Sequence, residues 1–173
     1  MSEAATLLGA WHDFYVVLGT ASGGLIGAMF VVASIGSGFL TKERAKEVRI
    51  FLTPSIVHLT TVLLGCALAL VPSLEPGSLT LLFGLTCLGG LIYSGRIGLQ
   101  ITRHGVERSD RFWYAAAPMI GYATIGIAVL LLLLHRSRGP ETLATGLAAL
   151  LLAGIRNAWD LILFLVAQAK GSS

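Results

Sequence analysis

The sequence predicts an all-α fold, a polytopic membrane bundle of five transmembrane helices with its N-terminus outside and its C-terminus inside. Three observations predict it. The 173 residues are 55% hydrophobic and only 12% charged, with a mean hydropathy of +0.81, far more apolar than a soluble domain of this size. Five apolar stretches each reach the roughly 20 residues a helix needs to cross a bilayer. None shows the alternation over about ten residues that marks a membrane β-barrel strand, so helices are the remaining way to satisfy the backbone in lipid.

The stretches cover residues 14–40, 50–71, 79–102, 112–134 and 142–169 of a single integral membrane domain, 1–173. The loops between them are short enough to force antiparallel neighbours, and no internal repeat is visible. Loop one carries Lys42, Arg44, Lys46 and Arg49, loop two no basic residue, loop three Arg103, Arg108 and Arg111, loop four Arg136 and Arg138, and the tail Lys170. With loops one and three and the tail inside, eight basic residues face the cytoplasm against two outside, which is the expected bias. The aromatic anchors agree: Trp11, Phe14 and Tyr15 at the outer end of span one, Phe112, Trp113 and Tyr114 at the inner end of span four.

The first ten residues hold Glu3 and no Lys or Arg, so they lack the basic start of a cleaved signal peptide and the first span is expected to persist in the mature protein. Asp13 is expected to cap span one. The segment 41–49 contains strong helix formers and neither Gly nor Pro, so it is expected to extend a helix beyond the membrane, and Lys42, Arg44, Lys46 and Arg49 offer a surface for anionic lipid headgroups. Pro54 is expected to mark the start of the second helix, where its missing donor costs nothing. Pro118 is expected to bend span four.

Small residues define two packing seams. Gly19, Gly23 and Gly27 recur at four-residue spacing in span one, and Gly146, Ala149 and Ala153 form a ridge in span five; such ridges let helices approach closely where lipid removes the hydrophobic drive for association. One chain of five spans has few partners for both, so a homo-oligomer, or contact with other membrane subunits, is expected.

The candidate chemistry lies in the membrane interior. Arg156 and Asp160 stand four residues apart within the last apolar stretch, and an ionisable residue at that depth costs from about 2.5 kcal/mol upward, so it normally faces a partner, a cavity or a conduction path. Span three adds Tyr93 and Arg96 on a polar stripe, span two adds His58, and Asn157 adjoins Arg156. Counting from the same membrane boundary puts His58, Tyr93 and Asp160 at similar depth. Asp160 is expected to pair with Arg156 along its helix or with Arg96 across helices, and the two Arg against one Asp favour an anionic solute or an acidic headgroup over a metal cation.

Other chemistries find less support. Basic residues confined to short loops argue for topology rather than nucleic acid. Cys66 and Cys87 form no CxxC and read as small hydrophobes. Only His12 and His135, at outer helix ends, approach the matched depth a bis-His haem requires, so no cofactor and no metal site is expected. No HExxH, GxSxG or Walker loop is present, and no enzyme is predicted. The expected function is that of a small polytopic protein, homo-oligomeric in a prokaryotic cytoplasmic membrane, with a channel-like or transport-like role through the polar cluster; the alternative is a non-catalytic accessory or assembly subunit of a larger membrane complex.

Overall fold

Helix α1 (His12–Ser37) is followed by α2 (Lys42–Ala69), α3 (Pro76–Arg103), a π-helical turn (Phe112–Ala116) that runs directly into α4 (Ala117–Leu133), and α5 (Gly139–Lys170). The computed structural model describes residues 9–37, 42–71, 75–103 and 112–170, and the side chains of 35–37, 42–51, 76, 100–103, 164–165 and 167–170 are outside that description. Among the described residues the chain is entirely helical, with five helices long and apolar enough to span a membrane. It is a membrane-embedded helical protein.

The helices form a folded row in the order α1, α2, α5, α4, α3, so that α5 is the central element, flanked by α2 and α4. Glycine sets each crossing of α5. A Cβ at Gly146 would meet Ile125 Cγ1 at 2.9 Å and the Gly121 carbonyl at 3.1 Å, and one at Gly154 would meet Leu59 Cδ2 at 2.9 Å. The backbones of α4 and α2 therefore approach α5 as small residues permit in lipid. Buried Tyr15, Phe83, Tyr122, Leu59, Ile125, Leu147 and Leu150 fill the space between. The outside is largely apolar, with Val17, Phe30 and Val31 on α1, Leu81, Leu85 and Leu88 on α3, and Ile120, Ile127 and Leu130 on α4 exposed, the surface a bilayer solvates.

Two interhelical hydrogen bonds tie α1 to its neighbours α5 and α2. The Tyr15 hydroxyl donates to the Pro140 carbonyl at 2.8 Å, joining the starts of α1 and α5. Ser22 donates to the Leu59 carbonyl at 2.7 Å from a fully buried position. Asp13 lies in the first turn of α1, 3.1 Å from His12 Nδ1, where a carboxylate suits the positive end of the helix.

Two proline readings change. Helix α2 begins at Lys42, so the basic segment is helical and Pro54 lies inside the helix rather than at its start; its ring denies the Ile50 carbonyl the usual partner. At Pro118 the chain does not simply bend an α-helix. Proline cannot donate to the carbonyl four residues back, that of Tyr114, and the span opens instead with the five-residue π turn ending just before α4.

Helix α4 ends in a Schellman motif: the His135 N–H donates to Leu132 at 3.1 Å and the Arg136 N–H to Leu131 at 2.8 Å. His135 sits at φ 52°, the left-handed region that a Cβ disfavours by about 1 kcal/mol or more. His135→Gly is expected to stabilise the bundle by about 1 kcal/mol, read as a raised unfolding midpoint in detergent micelles. An unchanged or lowered midpoint would show that the turn carries no such strain.

Candidate functional site

Three helices meet at His58. Its ring is fully buried on α2, with Nδ1 3.1 Å from the Tyr122 hydroxyl of α4 and the Tyr93 ring of α3 edge-on at 6.2 Å between centroids. The Tyr122 hydroxyl also lies 3.3 Å from Thr61 Oγ1, and Thr61 donates to the Val57 carbonyl at 2.9 Å. Tyr122 reaches this position because α3 presents Gly90 to it: a Cβ there would collide with Cδ1, Cε1 and Cζ of the phenol ring. Glycine is required here by close approach, not by backbone conformation.

The charged pair lies on α5. Arg156 donates to Asp160 Oδ1, and the Tyr114 hydroxyl donates to Oδ2 at 3.2 Å. Tyr114 belongs to the π turn, which delivers its side chain to α5 at the level of Asp160. The pair is partly exposed, Arg156 by 35% and Asp160 by 21% of their side chains, between exposed Ile155 and Trp159.

Asn157 lies between these groups. Gly154 packs opposite Leu59, close to the Ser55 carbonyl, so the antiparallel register sets His58 near the level of Gly154 and Asp160 about 9 Å further along α5. Asn157 is halfway, three residues from each. It is completely buried, and neither Oδ1 nor Nδ2 has a hydrogen-bond partner. His58 Nε2 and the Oγ of fully buried Ser94 on α3 also lack partners. Ser94 follows Gly90 by one turn, which places it on the same inward side of α3 as the glycine that receives Tyr122. Native interiors pair nearly all such groups, so each of these four atoms, on three helices, retains hydrogen-bonding capacity that water or a small polar molecule would satisfy.

The expected cluster is therefore reshaped. His58 and Tyr93 are in contact and Arg156 pairs with Asp160, but Asp160 lies about 9 Å nearer the C-terminal end of the span than His58 rather than at a matched depth. Arg96 does not join them. It is exposed, on the side of α3 that carries Ile92 and Leu99, and makes no ion pair among the described residues. The cause is Tyr122: its ring needs Gly90 inward, and Arg96 then points about 120° away, while Ser94 lies about 40° from Gly90.

The small-residue seams are largely used within the chain. Gly19 packs on Cys66 and Gly23 faces Leu63 of α2, Gly146 packs on α4, and Ala153 is fully buried, with Ala149 half-buried beside it. Gly19, Gly146 and Ala153 are buried within the chain, whereas Gly23 and Ala149 are half-buried. Gly27 and Gly24 face open space. The side chains of Lys42, Arg44, Lys46 and Arg49 lie outside the described residues. His12 and His135 are exposed, and among the described residues no group of three His, Cys, Asp or Glu is placed to hold a metal ion.

Tyr114, Tyr122 and Ser94 were not singled out as site residues by sequence. Tyr114 reads as one more aromatic anchor beside Phe112 and Trp113, and Ser94 as one of many small residues; only the Gly90–Tyr122 complementarity could have pointed inward. The fold and site together define a five-helix membrane protein with a buried, incompletely satisfied polar layer. Compared with known protein families, characterised proteins and solved structures, the chain shows no significant match.

Proposed function

We propose that the protein has a transport-like role, taking a small polar species into the layer formed by His58, Asn157 and Ser94. The observation that carries this reading is Asn157: a completely buried amide with both ends unpartnered, at a depth where an unmade hydrogen bond costs about 1–3 kcal/mol per group. A purely structural core residue would be leucine there at no such cost. The bias of basic residues toward loops one and three and the tail supports an orientation with the N-terminus outside and the C-terminus inside. Any association of copies would run through the outward face of α1, at Gly24 and Gly27.

The test is permeability. Purified protein in liposomes, challenged with a panel of uncharged solutes and ions, is expected to raise the flux of at least one above protein-free liposomes, and Asn157→Leu is expected to return that flux to baseline while the protein stays helical and monodisperse. Flux equal to that of empty liposomes for the whole panel would defeat the reading.

A second reading rests on Arg96. An exposed guanidinium on a helix face otherwise made of Leu85, Leu88, Ile92 and Leu99 suits an acidic residue of another membrane subunit, and supports an accessory or assembly role. Co-purification from native membranes of a partner that is lost on Arg96→Leu would favour it.

A further inference from the structure

We infer that the species accepted by this layer is a small uncharged molecule that donates hydrogen bonds, of the urea or polyol class, and not the anion that the sequence suggests. The inference rests on the transport reading and names its substrate. It follows from where the hydrogens go. Thr61 has one hydroxyl hydrogen and gives it to the Val57 carbonyl. Its contact with Tyr122 is then a hydrogen bond only if the Tyr122 hydroxyl donates to Thr61 Oγ1. The phenol hydrogen being spent, the contact between Tyr122 and His58 Nδ1 is a bond only if the imidazole donates. A neutral imidazole with its hydrogen on Nδ1 has a lone pair on Nε2. With both Tyr122 contacts made as hydrogen bonds, the imidazole hydrogen is on Nδ1 and His58 presents an acceptor at its unpartnered nitrogen.

The other free groups complete the specification. Asn157 adds an acceptor at Oδ1 and a donor at Nδ2, and Ser94 adds a hydroxyl that can do either. None carries charge. The nearby ions neutralise each other in the Arg156–Asp160 pair, and Arg96, which tipped the balance toward an anion, faces outward. An anion in this layer would meet two lone pairs and no free cation, and a metal cation would find no free carboxylate; either would be left desolvated at a cost that neutral dipoles cannot offset. A molecule with N–H or O–H groups and a carbonyl or hydroxyl oxygen matches acceptors and donors together.

Two measurements test this. Stopped-flow permeability of liposomes containing the intact protein is expected to show urea or glycerol flux above baseline with no chloride or potassium flux, lowered about fivefold by Ser94→Ala, the loss of one hydrogen bond. Nitrogen NMR of histidine-labelled protein, assigned with His58→Gln, is expected to show the Nδ1–H tautomer at His58, lost in Tyr122→Phe. Chloride or potassium flux without urea or glycerol flux would overturn the neutral-solute inference and leave transport standing. An Nε2–H tautomer would overturn the relay on which the inference rests. Absence of flux for every solute and ion would remove the transport reading itself, and this inference with it.

Discussion

Replacing Gly90 by alanine is expected to destabilise the bundle by about 2–4 kcal/mol, although the change adds a single methyl group to a helix. A Cβ at Gly90 would occupy the ring of Tyr122, meeting Cδ1, Cε1 and Cζ rather than a flexible end. The ring cannot yield cheaply, because Tyr122 is 1% exposed and its hydroxyl is held by His58 and Thr61. Either α3 moves away from α4, at the about 1–3 kcal/mol typical of overpacking, or Tyr122 swings out and leaves buried His58 with a second unpaired nitrogen, at about 1–3 kcal/mol more. Reversible unfolding in mixed micelles reads the effect. Gly90→Ala with Tyr122→Ala should cost clearly less than the two single changes together, because the second removes the ring with which the first collides. A neutral Gly90→Ala would mean that α3 is not held against α4 here, and the inward placement of Ser94 would fall with it.

That expectation also explains which parts of the molecule are legible in the sequence. The five spans follow from composition and length alone, because lipid allows few alternatives and each apolar run is long. Their ends were less legible: α2 starts at Lys42 because the segment 42–49 favours helix outside the membrane as well, and α5 starts at Gly139 because Pro140 suits a first turn. Helix rotation about its axis was the step that sequence could not supply. On α3 the polar residues Tyr93 and Arg96 suggest one inward face, whereas Gly90 and Ser94 define another; the decision belongs to Tyr122 on a different helix. Within α5 no such ambiguity exists, since Arg156 and Asp160 share a face by their spacing, and that pair forms. Asn157 is legible as a polar residue in an apolar run, but its isolation is a property of three helices together.

Asp160→Ala is expected to cost about 2.5–3.5 kcal/mol, the insertion-scale penalty for an arginine left unpaired at membrane depth. In the native protein the Arg156 guanidinium donates to Asp160, whose other oxygen accepts from Tyr114. Removing the carboxylate therefore leaves a cation without its partner. Arg156 is seven residues, about 10 Å, from Leu163 at the end of the span, too far for its side chain to place the charge fully in the headgroups, and its neighbours Ile155 and Trp159 face outward into apolar surroundings. Asp160→Asn should cost less, since the amide oxygen still accepts from Tyr114 although the ion pair is gone. Arg156→Ala added to Asp160→Ala should recover part of the loss, because the unpaired cation, rather than the missing contact, carries most of the penalty. Micelle unfolding of the native protein, Asp160→Ala, Arg156→Ala and the double variant provides the cycle. A double variant no more stable than the two single losses combined would show that Arg156 is stabilised without Asp160, and the pair would then be incidental to the packing of the π turn against α5.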